Sequence, residues 1–195
     1  MTWFPGQEFG HALSDVLLGR SEPGARVPTV WPAHEHGPIP TVRPTDGVLR
    51  CDESIHVGQR GYDRAGVAPA FPLGHRLGYT RWRYDGVDDP TIVGGDVTLR
   101  VRLRNTGDRP GREVVQVYAS RPDSAIDRPV RWLAGFAVVD ADAGGEVITT
   151  VTVPRRALQH WDTAAAAWRT EPGTFVLEVG SSSADRHLTT TIAMS

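Results

Sequence analysis

Lysine is absent: the 21 basic side chains are all arginines, which reads as coding bias and not as function. Cysteine is nearly absent too. A single residue, Cys51, excludes an internal disulfide framework and a multi-cysteine zinc site. No apolar run approaches the roughly 18 residues that span a bilayer, and Pro5, Gln7 and Glu8 break up the start where a signal peptide would need an apolar stretch. Charge is balanced, with a formal net of -2 and an isoelectric point near 6.4, so there is no basic footprint for nucleic acid or an anionic membrane. What is present is a composition that can build a core, 39% hydrophobic and 23% charged. The 21 glycines and 15 prolines exceed the usual combined share of roughly 12% and favour short elements joined by turns. The expectation is a soluble, turn-rich globular protein of 195 residues, enough for one domain or one plus a remnant.

Three regions follow one another. From Gln7 to Leu18, Phe9, Ala12, Leu13, Val16 and Leu17 form the stripe of an amphipathic helix, with Glu8 in its first turn and Gly19 as its stop. That stripe needs something to bury against, and the next sixty residues offer no obvious sheet. From Arg20 to Tyr84 the chain is proline-rich and irregular, but Trp31, Tyr62, Phe71, Tyr79, Trp82 and Tyr84 argue against disorder and for a segment wrapped over a surface. From about Thr91 onward the pattern is all-β. Val97, Leu99, Val101 and Leu103 alternate with Thr98, Arg100, Arg102 and Arg104. Further strands are expected at 113–120, 130–139, 146–153, 167–170, 174–180 and 187–193, with turns at Asn105–Asp108, Asp142–Gly145 and Glu171–Gly173 and one helical turn within Arg155–Trp161. About seven strands in a hundred residues imply a mainly β fold, an immunoglobulin-like or fibronectin type III-like β-sandwich.

No catalytic constellation stands out. His34, Glu35 and His36 suggest a metal cluster, but adjacent residues in an extended loop point apart, and a solvated loop is the better reading. Ser14 and Asp15 lie on a helix flank with no histidine at a useful spacing. Asp52 and Glu53 are a carboxylate pair near tyrosines, yet neighbouring side chains do not converge on one glycosidic bond. Cys51 has no histidine to activate it. Gly58, Gly61 and Gly66 do not follow a strand into a helix and so do not make a phosphate loop. Arg100, Arg102 and Arg104 form a basic stripe best read as the solvated face of a sheet. No catalytic, cofactor or metal residue is assigned.

Three stretches have less ordinary wording: WFPGQEFGHALSDVLLG (3–19), VGQRGYDRAGVAPAFPLGHRLGYT (57–80) and NTGDRPGREVVQVY (105–118). In this order they resemble the C-terminal part of a glycoside hydrolase family 3 enzyme of the β-glucosidase type. The first resembles that family's P-G-Q-E-x-G helix, the second its V-G-Y-R-x-Y-D and F-P-F-G-H-G-L-S-Y-T motifs, and the third N-x-G-x-x-x-G-x-E-V-V-Q-V-Y, which opens its fibronectin type III-like domain. Arg131–Phe136 and Trp168–Gly173 continue the likeness. Members are retaining enzymes with an Asp nucleophile in a barrel and a Glu acid/base in the α/β domain that follows. The resemblance implies that both lie ahead of this chain. Glu8 and Asp15 match non-catalytic positions. The chain departs from the motifs at Gln59 (for Tyr), Arg76 (for Gly), Gly78 (for Ser) and Ser54 (for Gly); Ser54 would be strained if that turn needs φ > 0, and the set is compatible with drift.

The resemblance therefore implies residues 1–36 as a remnant of the α/β sandwich domain, 37–84 as an irregular connecting segment, and 85–195 as the fibronectin type III-like sandwich. It implies carbohydrate metabolism, hydrolysis of O-glycosyl bonds, with this chain inactive alone and catalytic domains on the same or another chain as partner. The alternatives are a freestanding β-sandwich that serves as a scaffold or binds carbohydrate through the aromatics between Trp31 and Tyr84, because sugar rings stack on such faces, or one chain of a split hydrolase.

Overall fold

The computed structural model describes residues 4–35, 37–39 and 43–195. Helix α1 covers Phe9–Leu17 and ends in a Schellman arrangement: Gly19, at φ +70°, donates its N–H to Val16 O, and Arg20 N–H reaches Asp15 O. Glu8 precedes the first turn instead of lying in it, and its carboxylate meets His11 Nδ1 at 3.0 Å. The helix has no buried residue; Leu17 is 72% exposed. Its apolar stripe is as uncovered as the sequence implies.

A second helix, α2 (Gln59–Ala65), lies in the stretch that reads as irregular. It spans seven residues, bracketed by Gly58 at φ +55° and a left-handed Gly66, and it buries only Tyr62. With one apolar anchor it shows no stripe in the sequence.

The rest is a two-sheet sandwich. In one sheet β3 (Asp96–Asn105) is central. It pairs along one edge with β6 (Glu146–Val153), and along the other with β1 (Trp82–Val87) and β2 (Thr91–Val93) placed end to end. The second sheet runs β10 (Arg186–Met194), β9 (Gly173–Gly180), β4 (Gly111–Ser120), β5 (Trp132–Ala141), all antiparallel. Between β6 and β9 come the single turn α3 (Arg155–Leu158) and a ribbon of β7 (Gln159–Asp162) with β8 (Ala167–Thr170).

The seven strands expected are all present, and β1, β2 and β7 bring the total to ten among the described residues. Strand β1 escapes notice because Asp85 and Gly86 interrupt it and a bulge shifts its register at Tyr84/Gly86; pairing with β3, not local pattern, makes it a strand. The sandwich thus begins at Trp82. The helical turn expected in Arg155–Trp161 stops at Leu158, and Gln159 already belongs to the ribbon. The predicted alternation is realised: Val97, Leu99, Val101 and Leu103 are at most 1% exposed and pack with Val115, Val117, Val151, Phe175, Leu177 and Val179. Asn105, read as a turn residue, is fully buried: its amide donates to Arg109 O and Ala141 O, and its oxygen accepts from Thr80 Oγ1 and Gly107 N.

Candidate functional site: the charged seam between the N-terminal segment and the sandwich

Strand β4 should bury one face and solvate the other, yet from Val115 to Ala119 every side chain is buried. Its outer face is covered by Leu73–Arg76 and by Ser181–Ser183. Tyr118 donates its hydroxyl to Gln116 Oε1 at 2.6 Å, and the Gln116 amide donates to Gly74 O and Ser181 O. Ser183 N–H closes the circuit on Leu73 O at 2.9 Å. Gly74 is required here. Its φ is +82°, and a Cβ would stand 2.1 Å from Gln116 Oε1.

One end of this seam is held by charge. Glu113, fully buried at the start of β4, accepts from Arg26 Nη2 at 2.8 Å and from Val114 N–H at 2.8 Å, and its other oxygen lies 2.9 Å from Arg76 Nη2. Arg76 also faces Glu22 at 3.6 Å, and both Glu22 oxygens accept the Tyr79 N–H. Two guanidiniums and two carboxylates make a neutral cluster, the condition under which charges withdrawn from water persist. Backbone bonds run beside it, Val27 N–H to His75 O and Gly74 N–H to Val27 O. Tyr79 adds a hydroxyl donated to Val16 O at 2.5 Å, which ties α1 to the seam.

The other end carries α2. Gln59 accepts the Leu73 N–H at 3.2 Å and donates to Asp63, which also accepts from Arg131 Nη1 at 2.9 Å. Burial pushes the Asp63 carboxyl above its ordinary value, and the Arg131 guanidinium pulls against that rise. Arg131 and Arg186 meet Glu178 at 3.5 and 2.9 Å. Burial likewise pushes the Tyr84 and Tyr118 hydroxyls well above the usual phenol range.

The residues singled out in the sequence lie elsewhere. His34 and Glu35 are exposed, and His36 falls outside the described residues. Ser14 Oγ donates to Gly10 O, and Asp15 faces Arg20 at 3.6 Å. Asp52 and Glu53 line an open pocket of ≈ 420 Å³ with His56 and Arg64. Cys51 is free and exposed. Gly58, Gly61 and Gly66 start, pack and end α2. Within the arginine stripe Arg102 is paired with Asp88 and Arg104 with Glu146, while Arg100 is exposed. Among the described residues no group of three His, Cys, Asp or Glu could hold a metal ion.

Of the aromatics expected to meet sugar, Phe71 and Tyr79 are each 41% exposed and the others are buried or half-buried. Tyr62 and Tyr84 are buried, and Trp31 pairs its backbone with Phe71. The departures at Gln59 and Arg76 both make contacts within the seam. One signal for Glu113 was available: it occupies an inward position in step with Val115 and Val117.

The architecture is a fibronectin type III-like β-sandwich locked onto a preceding helical segment. The family models place both halves. The Glycosyl hydrolase family 3 C-terminal domain matches residues 1–79, and the Fibronectin type III-like domain matches residues 113–183. A β-glucosidase of Rhizobium radiobacter is 36% identical over 191 residues, 94% of this chain. Thermostable beta-glucosidase B of Acetivibrio thermocellus is 34% identical over 92% of it. The solved β-glucosidase DesR of Streptomyces venezuelae, in complex with D-glucose, superposes with a TM-score of 0.90 at 36% identity, covering 99% of this chain and 26% of its own. The Bifidobacterium adolescentis family 3 β-glucosidase gives 0.91 at 30% identity, covering 100% of this chain and 29% of its own. The chain belongs to glycoside hydrolase family 3, to the C-terminal region of its β-glucosidase-type members. It spans 23% and 24% of the length of those two curated relatives.

Proposed function

We propose that this chain serves a β-glucosidase-like hydrolase as its accessory β-sandwich together with the strap that joins the sandwich to the α/β domain, and that it hydrolyses no glycoside alone. The whole assembly would act on O-glycosyl bonds in carbohydrate metabolism, with the catalytic domains, on the same or another chain, as partner. One observation carries this reading: the carboxylates most withdrawn from water are already committed to arginines. Glu113 is held by Arg26 and Arg76, Asp63 by Arg131, and Glu171 by Arg121 and Arg128. A retaining hydrolase needs one free carboxylate as nucleophile and a second with a usable proton. Incubation of the purified chain with nitrophenyl β-glycosides tests the reading. Release of nitrophenol at the rate of a buffer blank is expected, and turnover above it would overturn the proposal.

A second reading rests on the ribbon. Trp161 and Trp168, directly paired across β7 and β8, have ring centroids 5.4 Å apart and are 47% and 42% exposed. Exposed indoles offer apolar faces to sugar rings. Retention of the chain on insoluble glucan, lost in Trp161→Ala, would favour a carbohydrate-binding role; absence of retention removes it.

A further inference from the structure

Arg76 and Gly78 stand two residues apart and share one space. A Cβ at position 78 would lie 2.2 Å from Arg76 Nη1 and 2.5 Å from Glu22 Oε1, inside the contact distance of real carbon atoms. Both obstructing atoms are the ends of flexible side chains. A side chain at 78 would therefore displace the guanidinium, not the backbone. The displaced group is the one that lies 2.9 Å from the buried Glu113 and 3.6 Å from Glu22. Gly78 has no left-handed backbone to explain it, so it is glycine for room.

We propose that Arg76 and Gly78 are a matched pair, and that the second arginine on Glu113 makes residues 22–27 with 71–79 a strap that is locked to the sandwich but opens as a unit of its own. The sandwich core, Val97 to Leu103 against β4, β6 and β9, needs no residue of the strap. The strap in turn is held mainly by polar contacts: the Glu113 cluster, the Gln116 amide, and the pair of backbone bonds between Val27 and residues 74 and 75. Regions with few apolar contacts open at lower free energy than the core. Because Tyr79 in the strap carries the hydroxyl bound to Val16, opening it frees α1 as well. The pair thus decides whether α1, with its exposed apolar stripe, is presented in a fixed direction. The two departures at 76 and 78 are then one change and not two.

Native-state hydrogen exchange on the full chain tests this. The probes are the N–H groups of Val27, Gly74 and Tyr79, with Leu99 and Val101 of β3 as the reference. Gly78→Ser and Arg76→Ala should each speed exchange of the three strap amides by about tenfold or more and leave the β3 amides unchanged. In the Arg76→Ala background, Gly78→Ser should add less than about twofold at Val27 and Gly74, since no guanidinium remains to displace; Tyr79 is left out of this comparison because its N–H is held by Glu22, which the new side chain still meets. Three results would each overturn the proposal: no acceleration in Gly78→Ser, equal acceleration by Gly78→Ser with and without Arg76, or β3 amides that speed up in parallel with the strap.

Discussion

Arg26 and Glu113 are 87 residues apart along the chain and 2.8 Å apart in space. Glu113 has no exposed surface, so losing its charge leaves Arg26 without its anion and Arg76 with only Glu22, at 3.6 Å. Breaking a buried ion pair from one side costs about 3–5 kcal/mol, more than the pair contributes when both members are replaced together. Glu113→Gln keeps the volume and removes only the charge. Urea unfolding should show a loss of that size, and a midpoint equal to the parent's would refute the view that the cluster holds the seam.

The acid limb of stability should be set by two carboxyl groups of opposite sign. Glu171 is pushed up by burial, but the Ala125 N–H, the Ser124 hydroxyl and Arg121 outweigh that and bring it down to about 2. The folded chain therefore holds this proton less tightly than the unfolded chain, where the ordinary value is 4.5. Its contribution is complete above about pH 4.5 and is lost as pH falls toward about 2. Asp63 runs the other way. Burial raises it above 3.8, so the folded chain takes up this proton first and the burden of burying its charge eases on acidification. Thermal melts between pH 7 and pH 2 should show a flatter acid loss in Glu171→Gln and a steeper one in Asp63→Asn.

The elements that were legible in the sequence are those whose burial follows a local period. Alternation from Val97 to Leu103 marks β3, and spacing of three and four marks α1, because one face of each is apolar along its whole length. Helix α2 was not legible because its single anchor, Tyr62, sets no period. Strand β1 depends on β3 for its form. The seam was least legible of all. The parity of Glu113 with Val115 and Val117 marks it as inward, but nothing in the sequence ties it to Arg26 or Arg76, and only the fold brings the three to one point. The same holds for Gln59: its role follows from the Leu73 N–H and Asp63 on either side of it, and neither is visible as a neighbour in sequence.

Ser54 carries strain that the motif comparison foresaw. Its φ is +52°, in a turn closed by its N–H on Cys51 O, and Ala166 in the ribbon turn shares the left-handed conformation at +47°. An L side chain there costs about 1–2 kcal/mol, partly offset in a glycine variant by the freedom glycine adds to the unfolded chain. Ser54→Gly and Ala166→Gly should each raise the urea midpoint, by a net of about 0.5–1 kcal/mol. A drop in either would show that the side chain there makes a compensating contact.

Gly135 marks where the two sheets close against each other. It lies in β5, an outer strand of one sheet, and a Cβ on it would stand 2.5 Å from Thr152 O and 3.2 Å from Val153 Cγ2 of β6, an outer strand of the other. The obstructing oxygen is backbone, in a strand paired along its length with β3, so it cannot swing aside as a flexible side chain would. Accommodating a methyl must part β5 from β6 and loosen the core beneath them, at about 1–3 kcal/mol. Gly10, in α1 with open space around it, is the control: Gly10→Ala should be neutral or gain up to about 1 kcal/mol of helix propensity. Urea unfolding of Gly135→Ala should show the loss with an unchanged denaturant slope, because the surface exposed on unfolding is the same. If Gly135→Ala unfolds at the parent's midpoint, the close approach of β5 to β6 is not a constraint on the sandwich.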